Sequence, residues 1–115
     1  MTRQLLGFDG YMLLDAYAYS EMFSIGGSSM VAIQTDVETT DGYGNIFIET
    51  SNNKISWVIV HFIDENGAIK WAKPVSASSF EHIFDITDIS TGWIRIKYAR
   101  DFGTGGLTFW ISAKK

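Results

Sequence analysis

From Trp93 to Arg100 the chain reads Trp-Ile-Arg-Ile-Lys-Tyr-Ala-Arg, a strict period-two alternation between two chemically different faces. A period of two matches a β-strand, whose successive side chains point to opposite faces, and rules out a helix. Ile94, Ile96 and Tyr98 then share one face, and Trp93, Arg95 and Lys97 the other. Leu107 to Ala113 repeats the pattern, with Leu107, Phe109 and Ile111 one way and Thr108, Trp110 and Ser112 the other. The glycine-rich Asp101–Gly106 connection between them predicts a single closing hairpin, with Lys97 opposite Trp110 and Trp93 near Lys114. One face of this hairpin is core. The other, built from Trp93, Arg95, Lys97 and Trp110, is the candidate interaction surface, where a cation beside an exposed indole contributes about 0.5–1 kcal/mol. Three coverings are open for it: a strand of the same fold, another subunit, or a sugar stacked on the indoles.

The rest of the chain fits the same class. Aromatics make up 15% of the residues and eleven glycines accompany a single proline, the composition of an all-β domain with many tight turns. Strands are predicted near 11–14, 16–25, 30–38, 45–50, 55–64, 68–71 and 79–86, before the hairpin. The segment 11–20 also has a helical reading, but adjacent glycines and aromatic density favour strand. About eight strands in 115 residues predict one domain over 1–115, an antiparallel β-sandwich of jelly-roll type, because a single sheet that size would leave an apolar face wet. Turns are marked by Asp64-Glu65-Asn66-Gly67, Gly26–Ser29 and Asp41–Asn45, and Pro74 is expected to end the 68–71 strand. Ile55–Asp64, with Val58, Ile59, Val60, Phe62 and Ile63, has almost no polar face, so a central strand covered on both sides, by a loop or by a second subunit, is expected.

Charge is unevenly distributed. Residues 1–92 hold twelve acids and four bases, whereas 93–115 hold five bases and only Asp101. Such a chain could associate head to tail with its own copies or meet an acidic partner; alternatively the charges simply solvate the surface. An acidic chain with few bases is a poor nucleic-acid binder. The absence of cysteine removes disulfides and thiolate metal sites. No apolar run reaches the 18 residues of a membrane span, and the apolar start is too short for a signal peptide. The expectation is a protein made in the host cytoplasm, with no membrane and no cofactor.

Candidate chemistry is sparse. His61, among Trp57, Ile59 and Ile63, and His82, among Phe80, Phe84 and Ile86, read as core or interface residues rather than ligands. Asp36, Glu38 and Asp41 place carboxylates near a turn, as a calcium loop requires, but the spacing is not that of an EF-hand, and solvated turn carboxylates are the simpler account. Asp101-Phe102-Gly103 spells a kinase motif in a chain too short for a kinase. Gly103–Gly106 lacks the lysine of a phosphate loop and reads as a flexible hairpin connection. With no nucleophile motif, an enzyme is not expected; a small β-sandwich enzyme would require a cleft of converging carboxylates.

From Ile55 to Lys115, on Trp57–Asp64, the Asp64–Gly67 turn and Thr91-Gly-Trp-Ile-Arg-Ile-Lys-Tyr-Ala-Arg-Asp-Phe-Gly-Thr-Gly-Gly, the chain resembles the small jelly-roll and β-sandwich proteins that bacteriophages build into their particles, capsid cement or decoration proteins and tail-appendage modules. The resemblance implies multimeric assembly on a virion, with copies of itself and other virion proteins as partners and no catalysis. Related sandwiches also serve as carbohydrate-binding modules, so a lectin-like domain binding a glycan is the alternative. No family residue carries over position by position.

Overall fold

The computed structural model describes residues 5–87, 89 and 91–114, and these form twelve strands. In chain order they are β1 (Leu5–Leu13), β2 (Ala18–Tyr19), β3 (Phe23–Ser24), β4 (Met30–Glu38), β5 (Tyr43–Ser51), β6 (Val58–Val60), β7 (Phe62–Ile63), β8 (Ile69–Lys70), β9 (Lys73–Ser76), β10 (Phe80–Thr87), β11 (Trp93–Phe102) and β12 (Gly106–Lys114). A first sheet runs β1-β12-β4-β10-β7-β8; a second runs β2-β11-β5-β6, with β3 also beside β11 and β9 beside β5. All the pairings are antiparallel. Between β5 and β10 the chain serves both layers, with β6 and β9 beside β5 in the second sheet and β7 and β8 at the edge of the first. The two layers form an antiparallel β-sandwich. Twelve strands stand where about eight are expected, because the 16–25 and 55–64 segments each break in two and β9 adds a short strand at 73–76.

Alternation builds the core. Val31, Ile33, Thr35 and Val37 of β4 point inward beside Leu107, Phe109, Ile111 and Ala113 of β12 and His82, Phe84 and Ile86 of β10. Ile94, Ile96 and Tyr98 of β11 and Ile46 and Ile48 of β5 face them from the second sheet. Each fully buried side chain of this size stabilises by about 1.5–3 kcal/mol. Two glycines make room for core rings: a Cβ at Gly10 would stand 2.5 Å from Phe109 Cζ, and one at Gly44 2.6 Å from Tyr98 Oη.

The closing hairpin does not form. β11 pairs with β5, β2 and β3, whereas β12 pairs with β1 and β4, so the 101–106 connection crosses from one layer to the other. Both strands turn an apolar face to the same core, and they do so from opposite sides. Nor is the connection a loose one. Thr39 Oγ1 donates to the Thr104 carbonyl at 2.6 Å and accepts the Gly42 N–H at 2.8 Å. Asp41 Oδ1 accepts the Thr104 N–H at 3.1 Å, Arg100 Nε donates to the Gly103 carbonyl at 2.7 Å, and Leu14 N–H to that of Gly105 at 2.8 Å. Gly103 takes φ +84°, and a Cβ there would collide with the Asp41 carbonyl oxygen.

The 55–64 segment is likewise not one central strand. β6 belongs to the second sheet and β7 to the first, so the chain changes layers at His61. Its unbroken apolar run reflects this change: Val60 packs on the core from one sheet and Phe62 enters it from the other. Ile55 and Val58 are exposed. His61 is also exposed, 5.3 Å from the Trp71 ring rather than in the core. Pro74 does not end the preceding strand; it sits within β9, which pairs only with β5, where a residue lacking an N–H is tolerated. The 64–67 turn joins β7 to β8 as expected, with Asp64 Oδ1 accepting the N–H groups of Asn66 and Ala68 at 2.9 Å each and only Gly67 left-handed.

Candidate interaction surface

The outer face of the second sheet holds an aromatic and cationic ladder. Register sets Trp93 beside Ser51, Arg95 beside Glu49 and Lys97 between Phe47 and Tyr19. The Arg95 guanidinium lies 3.9 Å from the centre of the Tyr19 ring and 4.1 Å from that of Trp57, and its Nε donates to Glu49 Oε1 at 2.9 Å. Glu49 is only 6% exposed. A carboxylate that dry requires its cation, and the planar guanidinium can stack on rings and bond the carboxylate at once. Lys97 Nζ stands 5.3 Å from the Tyr17 ring and 5.4 Å from Phe47. Hydrogen bonding between Lys97 and Tyr17 raises the ammonium pKa and lowers that of the phenol, while hydrogen bonding to Tyr17 raises that of Tyr19.

At the end of the ladder Lys54 Nζ sits 4.3 Å over the Trp93 ring. The 52–56 loop that carries it is tied back by Asn53 Oδ1, which accepts the N–H groups of Ile55 and Ser56 at 2.9 Å each, and by Ser51 Oγ, which accepts that of Lys54 at 3.0 Å. This loop delivers Trp57 to Arg95.

Of the four residues expected to form one surface, Trp93, Arg95 and Lys97 come together. Trp110 does not: it lies on the outer face of the first sheet, between Asp9 and Gln34. The split follows from the layer-crossing 101–106 connection. In place of Trp110, the structure brings Tyr17, Tyr19, Phe47, Glu49, Lys54 and Trp57 to the ladder. A signal for some of them was present: in the 45–50 strand Ile46 and Ile48 point inward, so alternation turns Phe47 and Glu49 outward. Tyr17 and Tyr19 share the same two-residue spacing.

The calcium-loop residues do not assemble. Asp36 and Glu38 lie on the outer face of β4, while Asp41 is turned to Thr104. Among the described residues no three His, Cys, Asp or Glu side chains are grouped to hold a metal. His82 is buried, as its apolar pattern suggested; its Nδ1 is 3.2 Å from Glu65 Oε1, its ring packs edge-on against Phe62 and Phe84, and its Nε2 has no partner. The basic C-terminal run is not a basic end in space, for Arg95 and Lys97 face one side of the sandwich and Lys114 the other; Arg3, Asp88 and Lys115 lie outside the described residues. Among the described residues no helix is long and apolar enough to cross a membrane.

Chemically the ladder is flat, aromatic and positive, with its one dry carboxylate neutralised. Cations lie against the Trp57, Trp93, Tyr19 and Tyr17 rings, and of these Tyr17 and Tyr19 keep about half of their surface exposed. No family model and no curated protein matches the chain. Among solved structures it is similar to the crystal structure of SPBc2 prophage-derived protein YomS, at a TM-score of 0.77 and 8% identity over 100% of this chain and 96% of that one. At that identity the likeness is one of fold.

Proposed function

We propose that the protein is a non-enzymatic structural component of a phage-like particle, of the capsid decoration or tail-appendage kind, that assembles through the aromatic and basic outer face of the second sheet. The observation that carries this reading is the Arg95 clamp. Aromatic residues and arginine are the side chains enriched where proteins meet, and here they are pre-ordered on rigid strands, so little side-chain entropy is left to lose on docking. The likeness in fold to a prophage-derived protein along the whole chain supports a phage setting. In this reading the protein resides in the virion, beside copies of itself and other virion proteins.

A lectin-like role is less favoured, because a pyranose stacks on an open indole face and the two indoles of the ladder are capped by Lys54 and Arg95. Particles purified by density gradient from the phage that encodes the chain provide the test. The protein is expected in them at a fixed copy number, and particles lacking it should take up added wild-type protein but not Tyr19→Ala. Its absence from the particles, or glycan-array binding lost in Trp110→Ala by a protein that stays monomeric, overturns the assignment.

A further inference from the structure

The two outer faces of the sandwich carry opposite charge. On the first sheet, register places Asp9, Trp110, Gln34 and Ile83 in one outward row and Tyr11, Thr108, Asp36 and Glu81 in the next. Glu38 and Asp85 extend this surface. Among the described residues, five carboxylates (Asp9, Asp36, Glu38, Glu81, Asp85) share it with one cation, Lys114, and none of them is in an ion pair. Asp36 and Glu81 are directly opposed on neighbouring strands, and like charges in that position destabilise a sheet. Exposed Tyr11, Leu13, Ile83 and Trp110 stand among them. The second sheet presents the complement: Lys54, Arg95 and Lys97 among aromatic rings, with Glu49 at their centre buried and already paired.

Resting on the assembly reading above, we infer that the occupant of the basic ladder is the acidic outer face of a second copy of this chain. The docking is head to tail. Cations of one copy would relieve the opposed Asp36 and Glu81 of the next, while Trp110 and Tyr11 meet Tyr17 and Tyr19. Because the two faces lie on opposite sides of one sandwich, the contact is heterologous and each pair of copies keeps one free face of each kind. Repetition gives an open stack rather than a closed pair.

Sedimentation velocity over a concentration series tests this, with Glu81→Lys altering the acidic face and Lys54→Glu the basic one. Both positions are exposed, and melting curves check that both variants fold. Wild-type mass is expected to rise steadily with concentration and to fall as salt shortens the Debye length to about 3 Å near 1 M. Each variant alone should self-associate about tenfold more weakly, a change of ~1.4 kcal/mol. Mixed, the intact basic face of Glu81→Lys should bind the intact acidic face of Lys54→Glu and stop at a one-to-one complex. A wild-type protein monomeric throughout, or a closed dimer that Glu81→Lys leaves intact, overturns the inference. Incorporation of such a protein into particles would leave the proposed function standing, and a stacking protein absent from particles would remove the function alone.

Discussion

The outer faces of the two sheets arise from the same alternation rule and differ in how their charges are settled. On the second sheet every cation of the ladder has a partner: Arg95 has Glu49 and two rings, Lys97 has Tyr17 and Phe47, and Lys54 has Trp93. On the first sheet Asp36 and Glu81 face each other with no cation between them. The first arrangement is rigid before anything docks, and the second gains from whatever positive surface arrives. A face can therefore be made for contact either by ordering its own side chains or by leaving charge unsatisfied, and this chain uses one device on each side.

The largest effect should come from the segment that holds the faces apart. Gly103→Ala forces a Cβ into the Asp41 carbonyl at a left-handed backbone position, and the loss of stability is expected to reach about 3 kcal/mol or more, since neither β4 nor β11 can move without breaking its sheet. Chemical denaturation measures it. A loss of under about 1 kcal/mol would mean that the 101–106 connection yields, and that the relative placement of the faces is less firmly set than the hydrogen bonds around Thr39 and Thr104 imply.

Next in size is the contrast between the faces themselves. Arg95→Ala strands Glu49 without its cation and should cost about 2–4 kcal/mol, whereas Trp110→Ala removes a half-exposed ring with no charge to leave behind and should cost about 1 kcal/mol or less. Arg95→Lys restores the charge but not the stacking fork, and is expected to recover only part of the loss. Equal effects at positions 95 and 110 would remove the distinction between a self-satisfied face and an open one.

How much of this was legible depends on the range of the physics involved. Alternation is local, so Ile94, Ile96, Tyr98, Leu107, Phe109 and Ile111 were identifiable as core, and Trp93, Arg95 and Lys97 as outward. Which strand lies beside which is not local. A glycine-rich six-residue connection between two alternating strands is equally compatible with a hairpin and with a crossing between layers, and the crossing puts Trp110 on the far side. The 55–64 segment failed for a related reason: an apolar run buried on both faces and a run that changes sheets midway have the same composition. Closeness along a strand and turn does not aim carboxylates at one point, and Asp36, Glu38 and Asp41 are not grouped as a metal would require.

Alkaline titration separates the sheets without mutation. Burial raises the phenol pKa of Tyr98, which faces inward from the second sheet, and its hydroxyl has no hydrogen-bond partner. The folded state therefore favours the protonated phenol: its stability is intact below the ordinary value near 10.0 and falls as pH rises above it, where only the unfolded chain ionises freely. Lys97, its pKa also raised, contributes below its ordinary 10.5 and loses that contribution as pH climbs through the folded value. Tyr17, lowered, acts in the opposite sense. Thermal melts on either side of pH 10 should show a drop that Tyr98→Phe reduces, with Tyr98→Phe neutral or up to about 1 kcal/mol more stable at pH 7 because an unpaired buried hydroxyl is lost. An unchanged alkaline drop in Tyr98→Phe would place its origin elsewhere.

The smallest expected effect concerns the two tryptophans whose surroundings differ most. Trp93 carries a lysine over its ring and Trp110 does not. Lys54 itself sits at φ +63°, a conformation that alanine bears as poorly as lysine does, so Lys54→Ala keeps the backbone strain and removes only the cation. The loss in stability should be about 0.5 kcal/mol, the usual size of an exposed cation–π contact, and should change little with salt, since the partner is a ring rather than an ion. Fluorescence quenching by acrylamide reads the same contact directly: quenching of Trp93 should rise in Lys54→Ala, and that of Trp110 should not move, with Trp93→Phe and Trp110→Phe backgrounds separating the two signals. If uncovering Trp93 leaves its quenching unchanged, the ammonium does not cap the ring in solution, and the second sheet's claim to be the already satisfied face rests on Arg95 and Lys97 alone.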